Sequence, residues 1–165
     1  MMRKRILSGL LITLGLGVVH AQTASWQKHM QAGRKAFDKL RFSEAERNFG
    51  DALRAAERSG VQGQDLRIAE SLDGMAELYL AEGKITAAEP LFQRSLALRE
   101  KSLGPSHLDL AKSIYGLADL YEKEGKHNLA EPMYARAKAI REKAFAEHPD
   151  MYVLVDGKLV AREPK

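Results

Sequence analysis

Hydrophobic residues along this chain recur at helical spacing, in blocks that repeat. Leu72, Met75, Ala76 and Tyr79 fall three and four residues apart, and Gly83 then breaks the run. A second stripe follows in Ala88, Leu91, Phe92 and Leu96. Ile114, Leu117, Ala118 and Tyr121, and then Ala130, Tyr134, Ala137 and Ile140, repeat the arrangement. Such spacing gathers apolar side chains on one face of an α-helix, so each block predicts two amphipathic helices joined by a tight turn. Alanines between the larger residues let the two helices approach closely.

The blocks are copies of one unit. Tyr79 matches Tyr121, Gly83 matches Gly125, and Arg99-Glu100-Lys101 matches Arg141-Glu142-Lys143, at a constant offset of 42 residues. A weaker copy lies upstream, where Ala45 matches Ala88 at an offset of 43. Phe49, Phe92 and Tyr134 follow Ala45, Ala88 and Ala130 by four residues. Ser43, Thr86 and Asn128 each stand three residues before a glutamate (Glu46, Glu89, Glu131). That spacing predicts a capping box at the start of each second helix. Pro90 and Pro132 are expected near the first turn, where a missing N–H matters little.

This pattern resembles the tetratricopeptide repeat. The resemblance rests on the small position Gly33/Ala76/Ala118, the aromatic position Tyr79/Tyr121, the position Ala45/Ala88/Ala130 and the aromatic that follows it. The connector Leu103-Gly104-Pro105-Ser106-His107 is similar to that of the longer repeats of kinesin light chains and their bacterial relatives. Two departures stand out. The first copy has Ala36-Phe37 where Tyr79 stands in the second, and Asp73-Gly74 and Tyr115-Gly116 replace the family's Asn-Asn pair. The resemblance implies an all-α, right-handed α-solenoid of about three helix pairs, over about 26–59, 69–102 and 111–144 within a domain 22–147. It also implies a concave groove lined by the first helix of each pair. The groove candidates are then Met30, Arg34 and Phe37; Asp73, Glu77 and Leu80; and Lys112, Tyr115, Asp119 and Glu122. Carboxylates outnumber bases among them, so a basic or amphipathic protein segment is the expected ligand.

Composition modifies this picture mainly at the ends. The 165 residues carry 26 Lys+Arg against 22 Asp+Glu, net +4. Three of those cations, Arg3, Lys4 and Arg5, open a segment whose run from Ile6 to Val19 is uncharged and mostly apolar. Val19-His20-Ala21 then supplies a small-x-small site before Gln22. Residues 1–21 thus read as a secretory signal peptide cleaved between Ala21 and Gln22. The apolar run is shorter than the ~20 residues a spanning helix needs; an uncleaved inner-membrane anchor is the alternative. Without this segment the charge falls to +1, which removes the case for nucleic acid binding. Cysteine is absent, so disulfides, thiolate metal sites and lipid attachment through cysteine are excluded. The expected location is a bacterial periplasm or beyond, with membrane contact only during export.

The tail 148–165 changes character. Val153, Val155, Leu159 and Val160 favour strand, and Asp156-Gly157 is a two-residue hairpin signal. A degenerate fourth helix is the competing reading.

Catalytic chemistry finds little support. His29, His107, His127 and His148 form no H-E-x-x-H or i, i+4 pair. Gly83-Lys84 and Gly125-Lys126 lack the rest of a phosphate loop, and Ser25-x-x-Lys28 lacks companion motifs. No catalytic residue, cofactor or metal ligand is expected. The leading reading is a non-enzymatic, exported protein-interaction module. Its rivals are a self-associating scaffold subunit and an accessory subunit of an envelope enzyme complex.

Overall fold

Three tight turns of one design divide the helices into pairs. Residues 23–60 and 63–147 of this computed structural model, and the backbone of 152–155 and 158–161, are described below. The expected signal segment and its cleavage pair Ala21–Gln22 lie outside them. The first unit is α1 (residues 23–38) and α2 (Phe42–Arg58). The second is α3 (Gln64–Ala81) and α4 (Ile85–Leu103), and the third α5 (Asp109–Lys123) and α6 (His127–Glu147). The architecture is an α-solenoid of helix pairs, as the resemblance implies. Strands β1 (Tyr152–Val155) and β2 (Lys158–Ala161) follow. They pair antiparallel with Val155 opposite Lys158; the expected turn pair Asp156-Gly157 lies outside the described residues.

Each turn inside a unit is a Schellman motif. Lys84 N–H donates to the Tyr79 carbonyl at 2.8 Å and Gly83 N–H to the Leu80 carbonyl at 3.1 Å. Lys126 and Gly125 repeat this with Tyr121 and Glu122, and Arg41 and Leu40 with Ala36 and Phe37. The motif requires a left-handed residue, and Gly83 and Gly125 supply it at φ 73° and 72°. In the first unit that residue is Leu40, at φ 57° and 74% exposed. A side chain there is strained and buries almost nothing. Leu40→Gly should therefore stabilise the array by about 0.5–1 kcal/mol, after the added freedom of the unfolded chain is counted. A thermal midpoint at or below that of the unaltered protein would contradict this.

The capping boxes are not formed at Ser43 and Thr86. α2 and α4 start at Phe42 and Ile85, so those side chains lie inside the first turn, and neither helix has a side-chain cap. Asn128 likewise lies inside α6. The short turn delivers the chain directly into the helix, where the Lys84 carbonyl accepts from both Ala87 and Ala88 N–H. Pro90 and Pro132 sit past the first turn, at the sixth helical residue. Pro90 therefore leaves the Thr86 carbonyl without its helical donor.

The glutamates of the expected boxes act between units. Glu46 of α2 accepts from Tyr79 Oη of α3 at 2.6 Å, and Glu89 of α4 accepts from Tyr121 Oη of α5 at 2.9 Å. Glu46 and partial burial push the Tyr79 hydroxyl up to about 12. The folded state thus holds this proton more tightly than the unfolded chain does. The associated stability is complete below the ordinary value of 10.0 and is lost as pH rises toward 12. Spectrophotometric titration of tyrosinate should show that the ionisation of Tyr79 moves to lower pH in Glu46→Gln while the other tyrosines keep theirs. An unchanged titration in that variant would contradict the assignment.

Ring-to-backbone contact joins the units on the apolar side. Phe49 lies against Gly33 of its own unit and Gly74 of the next, where an added Cβ would meet its ring at 2.7 and 2.8 Å. Phe92 lies against Gly116 in the same way, at 2.6 Å. Glycine at positions 74 and 116 leaves free the volume that the ring of Phe49 or Phe92 occupies. α3 is consequently enclosed by α2, α4 and α5, with Ile68, Ala69, Leu72, Ala76 and Leu78 in the core.

Candidate interaction surface

The first helices of the units meet around one cavity. α1 contributes Arg34, Phe37 and Asp38, each within one helical turn. From α3 come Glu70, Gly74 and Glu77, at i, i+4 and i+7 on one face. Phe49 of α2 and Lys112 of α5 complete its lining. Its volume is about 270 Å³. A smaller one of about 160 Å³ adjoins it, lined by Trp26, Gln27, Met30, Gln31, Arg34 and Glu70. Arg34 and Glu70 line both, and their side chains are ion-paired. Lys112 pairs with Glu77 at 3.1 Å on the opposite side. Asp38 has no ion-pair partner among the described residues. With Asp38, Glu70 and Glu77 against Arg34 and Lys112, the cavity carries a net charge of −1. Both bridges are half exposed, so each adds little stability and can exchange partners with a ligand.

Four of the candidates, Arg34, Phe37, Glu77 and Lys112, are thus brought together. Met30 belongs to the core and lines only the smaller cavity. Leu80 is half-buried against the core of the second and third units. Tyr115, Asp119 and Glu122 gather around Tyr134 instead. The Tyr115 and Tyr134 rings are 5.8 Å apart, and burial, Asp119 and Glu122 together raise the Tyr134 hydroxyl above its ordinary value. Asp119 also pairs with Lys123 at 3.4 Å, and Glu122 with His127 at 3.0 Å. The expected excess of free carboxylate in the groove is therefore largely neutralised.

Asp73 is a correction. It does not face a ligand; it is 2% exposed and pairs with the buried Arg99 at 2.7 Å. Ser113 Oγ donates to Asp73 at 3.3 Å, Arg99 donates to Ser95 and Ser113, and Ser95 Oγ donates to the Ala69 carbonyl. This buried cluster fastens α3, α4 and α5 together. One residue of helical rotation separates Asp73 from the cavity residue Gly74. Glu70 and Asp38 were missed by the sequence reading, although Glu70 lies seven residues before Glu77 on the same helix face.

Among the described residues no cluster of three or more His, Asp or Glu could hold a metal ion, and no helix is long and apolar enough to cross a membrane.

Residues 67–143 match the family model described as Tetratricopeptide repeat. Among solved structures, BtubC (BKLC) from P. vanneervenii is similar, at 21% identity and a TM-score of 0.64, over 84% of this chain. The match takes in 54% of that protein, so the chain spans about half its length. The two share a fold. No curated protein matches the sequence.

Proposed function

We propose that this chain, a tetratricopeptide repeat protein, is a non-catalytic module that holds a peptide segment or helix of an envelope partner across the first helices of its units. Tetratricopeptide repeats are protein-interaction modules, and stacked units expose an extended surface suited to that task. One observation carries the specific reading. The cavity of about 270 Å³ is lined by residues of α1, α2, α3 and α5 together, so only the assembled array makes it. Phe37 offers an apolar contact at its edge, and Asp38, Glu70 and Glu77 favour a ligand with at least one cation. Export rests on residues 1–21 alone, with their basic start, apolar run and small-x-small site.

The test uses tagged full-length protein and envelope extracts. Phe37→Ala with Glu77→Lys should remove the specific partner while far-ultraviolet circular dichroism stays unchanged. Equal recovery of every partner by both proteins would refute the cavity as the binding surface. Location is tested separately, by finding the protein in the periplasmic fraction with Gln22 at its N-terminus.

A further inference from the structure

The junction between units is built twice from the same parts, and α6 carries one half of it a third time. At the first junction the Phe49 ring lies on Gly74, Glu46 accepts from Tyr79, and Glu57 pairs with Arg94 at 3.1 Å. At the second, Phe92 lies on Gly116, Glu89 accepts from Tyr121, and Glu100 pairs with Arg136. The receiving unit therefore presents glycine, tyrosine five residues later and arginine twenty residues later, in both cases. The corresponding donors on α6 are Tyr134, Glu131 and Glu142. Tyr134 is half-buried against its own unit, and Glu131 makes no hydrogen bond or ion pair among the described residues. Among the described residues Glu142 meets only Lys138 of its own helix, at 3.8 Å.

We infer that the α6 face docks a helical hairpin of another polypeptide that carries the receiving pattern: glycine, tyrosine at +5 and arginine at +20. The ring of Tyr134 would lie on the glycine, Glu131 would accept from the tyrosine hydroxyl, and Glu142 would pair with the arginine. A second copy of this chain does not fit end to end. Its first unit has Gln31, Ala36 and Asp51 at the three receiving positions. Gln31 fills the space the ring needs, Ala36 has no hydroxyl, and Asp51 would face Glu142 with like charge. This surface is separate from the cavity, and the inference does not rest on its role.

A synthetic peptide of residues 64–103, which contains Gly74, Tyr79 and Arg94, serves as the probe. Fluorescence anisotropy with the full chain should show saturable binding. Glu142→Arg in the protein should weaken binding about tenfold or more, and Arg94→Glu in the peptide should restore it to that variant. Gly74→Val in the peptide should also abolish binding, whereas Phe37→Ala with Glu77→Lys in the protein should leave it unchanged. Absence of binding, or binding indifferent to Glu142 without charge-swap rescue, would overturn the inference. Light scattering should show a monomer at every concentration. Growth of mass with concentration that Glu142→Arg alters would make a second copy the occupant, and the inference wrong.

Discussion

Replacing Arg99 by methionine should destabilise the array by about 3–5 kcal/mol, the cost of leaving one member of a buried ion pair alone. Arg99 is the cation within the Asp73 cluster, and both are nearly inaccessible to water. Lost solvation pushes the Asp73 carboxyl above its ordinary value of 3.8, Glu77 adds to this, and Arg99, Ser95 and Lys112 oppose it. A raised value means that the folded state binds the proton more tightly than the unfolded chain. Stability contributed by Asp73 is then present in acid and falls as pH rises from 3.8 through the folded value. Removing Arg99 takes away the strongest opposing influence and widens that window. The deficit of Arg99→Met should accordingly be larger at neutral than at mildly acidic pH, by urea unfolding. Asp73→Leu combined with Arg99→Met should recover most of the loss, because an apolar pair of similar volume needs no compensating charge. A deficit under about 1 kcal/mol, or one independent of pH, would mean that the pair is solvated.

Gly116→Ala should lose about 1–2 kcal/mol, although helix propensity alone predicts a gain of about 1 kcal/mol. The added methyl would stand 2.6 Å from Phe92 Cε1, and Phe92 is itself enclosed by the second and third units. Gly50→Ala is the matched control. It lies in α2, where the nearest atom to an added Cβ is Arg54 Nη1 at 3.7 Å. That substitution should stabilise by about 0.5–1 kcal/mol. The pair separates packing from propensity, and equal gains at both positions would contradict the interlocking of aromatic ring and glycine.

The helix pairs were legible because their stripes are local. Leu72, Ala76 and Tyr79 or Ala130, Ala137 and Ile140 need only a neighbouring helix to explain them. What depends on the next unit was hidden. Glu46 and Glu89 have capping-box spacing, yet they meet a tyrosine 33 and 32 residues downstream. Gly74 and Gly116 read as departures from a family pattern until the phenylalanine against each was seen. Asp73 was assigned to the groove because the resemblance lines the groove with the first helix of each pair. Its partner Arg99 comes from another helix, 26 residues along the chain, and no periodicity announces it. Arg99 itself has a counterpart with a different partner: Arg141 lies over the Tyr115 ring at 5.8 Å, because tyrosine takes the aspartate's place in the third unit. The cavity was half legible. Arg34, Phe37, Glu77 and Lys112 follow from the first-helix rule, while Glu70 and Asp38 required knowing how far α1 slides along α3.

The central claim is that a protein segment lies across the first helices of the array. Site-specific photocrosslinking in the native host tests this most directly, with a photoreactive phenylalanine at position 37 beside the cavity and, separately, at exposed position 97 on α4. The account predicts a discrete protein adduct from position 37 that Glu77→Lys diminishes, and none from position 97. An adduct confined to position 97, or none from position 37 with the protein folded and in place, would contradict it.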